Sequence, residues 1–210
     1  MTTTERPIIF SAESVRAILQ GRKTQTRRVL KLPTEQDADV YFNTILHEWR
    51  WIERSDNDRG GPLRCPFGAV GDRLWVKETW HALEIGDAYA TAYRADMPPG
   101  SEKYDRWNSP IHMPRWASRL TLEITEVRVE RVQAIGEVAA RAEGVDREAW
   151  PEDITNDDAT LNAECGYFPP RFYVAGFARR WDALNARRSG GAFSWQRNPW
   201  VWSISFRQLS

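Results

Sequence analysis

Ile18-Leu19-Gln20-Gly21-Arg22-Lys23-Thr24-Gln25-Thr26-Arg27-Arg28 is the stretch on which the reading of this 210-residue chain turns. Upstream of it, Val15, Ile18 and Leu19 recur at i, i+3 and i+4, which gives one apolar helix face. Ser11 has the chemistry of an N-cap, and Glu13 sits in the first turn, where the helix dipole favours a carboxylate. Gly21 predicts the stop, because glycine alone takes the left-handed C′ position without strain. Downstream the chain turns basic, then apolar through Val29, Leu30 and Leu32, and Pro33 ends the unit. A glycine, four cations and two hydroxyls at a helix-to-strand junction suit an anionic partner. Backbone donors are free there, and guanidinium forks match phosphate oxygens. The glycine-rich lead of a phosphate-binding P-loop is absent.

Working outward, Ile8 to Phe10 reads as a strand before the helix. Residues 34–70 read as an insertion, with a strand over Ile45 to Ile52 carrying Trp49 and Trp51 and a loop from Ser55 to Pro62. Gly71-Asp72 is a turn signal. Arg73 to Trp80 then alternates: Leu74, Val76 and Glu78 face one way, Trp75, Lys77 and Thr79 the other. Ala88 to Arg94 is its expected partner strand, and Met97 to Ser118 reads as irregular. Arg119 to Val132 is the longest β signal. Its alternation slips between Ile124 and Val127, which predicts a bulge near Glu126.

Gln133 to Glu143 reads as a short helix with Ile135, Val138, Ala139 and Ala142 inward, ended by Gly144. Residues 145–170 form a second, acidic insertion. Phe172 to Leu184 reads as an amphipathic helix with Phe177, Trp181 and Leu184 on one face. Trp200 to Leu209 is a closing strand, with Trp200, Trp202, Ile204 and Phe206 on one side. Helices among short, mostly antiparallel strands make the expected class α+β, or a small barrel with helices at its mouth, in one domain over 1–210.

The formal net charge is zero, which excludes a strongly basic coat protein for nucleic acid. The charge is uneven, however. Arg6, Arg16, Arg22, Lys23, Arg27, Arg28 and Lys31 face only Glu5 and Glu13 in residues 1–33, and residues 167–210 hold seven arginines against Asp182. If the two ends of the chain pair, these faces merge into one patch for phosphates. The apolar share of 41% supports a core. Mean hydropathy is −0.60, and no run of about 18 apolar residues predicts a membrane span. The polar start, Met1 to Arg6, carries no apolar signal segment. Two cysteines, Cys65 and Cys165, and three scattered histidines form neither a disulfide framework nor a metal motif. A cytoplasmic protein without metal or cofactor is therefore expected.

Two further features carry chemistry. Glu143, in Ala142-Glu143-Gly144, ends a helix where the dipole disfavours a carboxylate. The eleven tryptophans exceed the needs of one small core, so some, Trp75 among them, are free to stack on bases.

The order of these segments resembles the ASCH family of the PUA-like superfamily. The resemblance is carried by Ile18 to Arg28, by Gly71-Asp72-Arg73-Leu74-Trp75-Val76-Lys77-Glu78, by Ile135 to Gly144 and by Trp200 to Phe206. Ile111-His112-Met113-Pro114-Arg115-Trp116-Ala117-Ser118-Arg119 is similar to runs in the longer bacteriophage and prophage members. The resemblance implies a small PUA-like β-barrel with flanking helices beside a cleft, here with two insertions. The implied partner is single-stranded RNA or a nucleoside, and the implied setting is a bacterial or phage-infected cell. A small bacterial member of the family removes the acyl group from N4-acetylcytidine. Its functional lysine, threonine and glutamate fall on Lys23, Thr26 and Glu143. Arg22, Thr24, Arg27, Arg28, Glu78 and Trp75 are then the expected substrate or nucleic-acid contacts.

Amide hydrolysis needs a nucleophile, a base and a proton for the leaving amine. Thr26 suits the first role, and a neutral Lys23 the second. Glu143 suits activation of water or protonation of N4. In an uninterrupted strand Lys23 and Thr26 would face opposite sides, so shared chemistry requires a bend near Thr24. The alternatives are a non-catalytic RNA-binding module with the same cleft, and a ribonuclease.

Overall fold

A computed structural model describes residues 3–32, 38–55, 59–85, 88–98, 106–146 and 172–209. The expected insertion at 145–170, Cys165 included, falls almost wholly outside them, as does Pro33. The described chain is a mixed α+β fold rich in strands. Its centre is a five-stranded sheet in the order β1-β6-β9-β10-β2. These strands are Glu5–Ile9 (β1), Arg73–Lys77 (β6), Thr121–Arg131 (β9), Trp200–Leu209 (β10) and Gln25–Val29 (β2). β1 and β6 run parallel and the other pairings are antiparallel.

The longest pairing, β9 with β10, carries the predicted bulge. Ser205 faces Glu126 and Phe206 faces Ile124, so Thr125 is the extra residue. The bulge rephases the strand. Leu120, Leu122 and Ile124 are buried before it and Val129 after it, in a core shared with Ile8, Leu74, Val76, Trp202, Ile204 and Phe206.

β10 is buried on its other face as well. Val201 packs there with Val132, Ile135, Ala140, Val174, Phe177 and Trp181, a second apolar cluster that seats two helices against the sheet. These are α2 (Glu137–Ala142) and α3 (Phe172–Asn185). The first helix, α1 (Ala12–Leu19), is capped by Ser11, whose Oγ accepts from the Ser14 amide at 3.3 Å.

The helix faces differ in detail from the sequence expectation. Leu19, Val138 and Leu184 are exposed at 43%, 85% and 65%, whereas Ala17, Ala140 and Val174 are buried. α2 begins only after Gly136, because Val132–Ala134 forms a 3-10 turn. That shift turns Ala140 inward and Val138 out. In each case a small or β-branched residue takes the close contact, which hydrophobicity alone does not rank.

Residues 38–62 are more structured than an insertion read as one strand and a loop. β3 (Ala38–Asn43), β4 (Glu48–Glu53) and β5 (Gly60–Pro62) form an antiparallel sheet. Ile45 and Leu46, expected in a strand, are exposed in the turn between β3 and β4. Val40, Trp49 and Trp51 pack onto the main core. β7 (Trp80–Ile85) and β8 (Ala88–Tyr93) form a separate hairpin, so Ala88–Tyr93 does not partner Arg73–Lys77 as expected; that strand is already paired on both edges, with β1 and β9. Among the described residues, no helix is long and apolar enough to cross a membrane.

Candidate active site

α1 ends at Gly21 with φ +69°, and the amides of Arg22 and Lys23 both donate to the Ala17 carbonyl. This tight turn delays the strand. Lys23 instead forms an isolated antiparallel bridge with Glu143, fixed by the Thr24 amide on the Ala142 carbonyl at 2.9 Å. β2 begins at Gln25, where Phe206 has donated to the Thr24 carbonyl and β10 takes over the pairing. The required bend is thus present between Lys23 and the strand, and Lys23 and Thr26 line one cavity together with Glu143.

Gly144 permits this close approach. Its φ is +73°, and a Cβ there would lie 2.7 Å from Lys23 Cβ and 2.8 Å from Ala17 Cβ. Gly144→Ala is expected to destabilise the protein by about 1–3 kcal/mol through left-handed strain and displacement of the Lys23 backbone. Chemical denaturation would measure this, and a stability equal to wild type would remove the close-approach argument.

Three buried charges meet inside the cavity. Lys23 Nζ donates at 2.8 Å to Glu143 Oε2, to the Glu143 carbonyl and to the Gln25 carbonyl. Arg27 Nη1 donates to Glu143 Oε1 at 3.1 Å, and its other edge reaches Glu130 Oε1 at 2.9 and 2.5 Å. All three side chains are buried. A buried charge survives only when matched, and here two cations are matched by two carboxylates. Glu143, at the end of α2, is unfavourable to that helix but is held by both cations.

Burial lowers the Lys23 pKa to about 8, with Glu143 pushing it back up and Arg180 and Arg28 pushing it down. The shift is in the direction that makes the neutral Lys23 amine more accessible near neutral pH. The Thr26 hydroxyl makes no hydrogen bond among the described residues.

The cavity has a volume of about 400 Å³, within the range of small-ligand sites. One wall comes from the N-terminal part of the chain, through Phe10, Ser14 and Arg28. The opposite wall comes from α3 and the turn after it, through Arg180, Leu184 and Arg188. The expected merging of the two basic ends is therefore seen here. Burial and Arg188 both lower the Arg28 pKa, while Glu143 raises it.

No protein-family model, no curated protein and no solved structure matches this chain.

The geometry divides the expected site residues into two groups. Lys23, Thr26, Arg27, Arg28 and Glu143 line the cavity. Four do not. Arg22 is exposed and pairs with Asp146 at 3.4 Å in a separate depression. Thr24 is exposed, and its backbone bridges α2 and β10. Glu78 is buried in a different ion pair, with Arg119 at 3.0 Å, and burial raises its pKa. Trp75 lies under Lys77 and Arg115, at 5.5 and 5.8 Å from its ring. Arg180 and Arg188 were missed as individual residues. Their only signal was the basic bias of the last forty residues. Among the described residues, no group of three His, Cys, Asp or Glu is placed to hold a metal ion.

Proposed function

We propose that this chain is an ASCH-type, PUA-like protein whose cavity hydrolyses the N4-acyl amide of acylated cytidine. The observation that carries the reading is the meeting of an ammonium, a carboxylate and an unbonded hydroxyl in one cavity. Lys23 and Glu143 are 2.8 Å apart there, and Thr26 lines the same cavity. The barrel part of the proposal rests on the sheet edges. β1 and β2 are its two outermost strands, yet Arg28 of β2 donates to the Ile9 carbonyl of β1 at 2.6 Å. That contact is made by a side chain and not by a backbone ladder, and it supports a sheet curled enough to bring its two edges within one side chain's reach.

In this reading Thr26 Oγ attacks the acyl carbon and its proton passes to the neutral Lys23 amine. The tetrahedral centre collapses, the bond to N4 breaks, and Lys23 returns the proton to the leaving amine. Cytidine departs and an acyl ester stays on Thr26. Water hydrolyses that ester, releasing the carboxylic acid and restoring the hydroxyl. Glu143 holds Lys23 in place and stabilises its ammonium between the two transfers. Arg27 acts through Glu143 as a positioning residue.

Incubation with N4-acetylcytidine should release cytidine, and no release would remove the catalytic reading. The base must be neutral, so kcat/KM should rise about tenfold for each pH unit below 8 and level off above it. A profile flat from pH 6 to 9 would exclude Lys23 as the base.

One observation favours a second reading, a module that binds RNA without turnover. All three Lys23 donors and both Glu143 oxygens are already engaged within the protein. In that case RNA affinity falls with salt, without cytidine release.

A further inference from the structure

The cations of the cavity fall into two sets. The buried pair, Lys23 and Arg27, is matched by Glu143 and Glu130. The outer set is matched less fully. Arg28 is half-buried. Among the described residues it donates only to the Ile9 carbonyl, and its Nε is buried with no partner there. Arg188 is exposed and donates to Asn185 Oδ1 at 2.7 Å. Neither makes an ion pair with a carboxylate among the described residues, and the charge of Arg188 works against that of Arg28. Arg180 adds a third guanidinium. The Ser14 hydroxyl holds it at 3.0 Å, and it has only a 3.5 Å pairing with the exposed Glu13.

Glu143 partly offsets Arg28, and Glu13 pairs with Arg180, but Arg188 still works against Arg28, and an anion entering between them relieves that repulsion. Guanidinium forks with free N–H edges fit phosphate oxygens bidentately. The guanidinium groups among the lining residues therefore suit a ligand that carries a dianionic phosphate, and the hydrolase reading supplies the base to which it is attached. A volume of about 400 Å³ holds one nucleotide rather than a strand.

We propose that Arg28 and Arg188, with Arg180 beside them, form a phosphate subsite, and that the cavity takes a cytidine 5′-monophosphate-type ligand in preference to the free nucleoside. This inference deepens the hydrolase reading and rests on it for the identity of the base. The same phosphate chemistry is also offered by an RNA backbone. Arg28 and Arg188 continue into a neighbouring depression lined by Lys31 and Arg64, along which a strand would run.

Calorimetry with unacylated probes tests the subsite without requiring turnover. Cytidine 5′-monophosphate should bind at least about tenfold tighter than cytidine. Arg188→Ala, a change at an exposed residue, should bring the two affinities together, and so should Arg28→Gln. Equal affinities for the two probes in wild-type protein would overturn the proposal. A short single-stranded RNA without a terminal phosphate that binds tighter than the monophosphate would also overturn it, in favour of the polymer. If the hydrolase reading alone is wrong, the monophosphate preference persists while N4-acetylcytidine and its 5′-phosphate are left intact.

Discussion

Lys23→Met is expected to lower kcat/KM on N4-acetylcytidine by about a thousandfold, the effect of removing a general base and its returning proton. The fold should survive this change. Methionine replaces the aliphatic stem of the buried lysine at similar volume. Glu143 keeps Arg27 as its counter-ion at 3.1 Å, so no carboxylate is left buried alone. Far-ultraviolet circular dichroism should therefore stay near wild type while cytidine release disappears, and the denaturation midpoint should fall without loss of the fold, because the Glu143 and Gln25 carbonyls lose their donor. Full activity in Lys23→Met would show that the ammonium is only a strut. Thr26→Val should give a comparable loss for a different reason, because the hydroxyl that carries the acyl group is gone while the strand and its pairing with Ile204 remain.

Glu143→Leu is expected to have the largest effect on stability, about 3–5 kcal/mol. It removes the carboxylate shared by two buried cations, and Arg27 retains only Glu130. Lys23 has no second carboxylate partner among the described residues and escapes by losing its proton. The sign of the pH dependence follows. In wild-type protein Glu143 raises the Lys23 pKa to the vicinity of 8, so without it the folded pKa lies lower still. The unfolded chain titrates at the ordinary 10.5. Between those values the unfolded state holds more protons, so the variant gains stability as pH rises towards 10.5. Denaturation midpoints at pH 7 and pH 9.5 would test this. A variant that does not recover at the higher pH would show that Lys23 is not the source of the loss. Glu143→Gln, which keeps an acceptor for Lys23, should fall in between.

Much of this arrangement was legible in the chain, and the illegible parts have physical reasons. The bulge at Thr125 was visible because apolar alternation must change phase when one residue is added to a strand. The end of α1 at Gly21 was visible because its left-handed φ favours glycine. The meeting of Lys23 with Glu143 is a long-range pairing across 120 positions and leaves no local pattern. It came only from the resemblance, and the geometry has these residues in one cavity. The strand β3 was missed because its exposed Tyr41 and Phe42 blur the alternation of Ala38 and Val40. Leu184 and Val138 misled because a helix face assigned by hydrophobicity ignores which side chains the neighbouring sheet can admit. Arg22 and Glu78 were grouped with the site by type, but each has a closer counter-ion elsewhere, in Asp146 and in Arg119.

The most direct test of a reactive cavity built on Lys23, Thr26 and Glu143 is mass spectrometry of protein quenched in acid during turnover of N4-acetylcytidine. The account predicts a fraction of the protein heavier by one acetyl group, on the peptide that contains Thr26, and no such adduct in Thr26→Val. Cytidine release at an undiminished rate from Thr26→Val, or an acetyl group found on a residue outside the cavity, would contradict it.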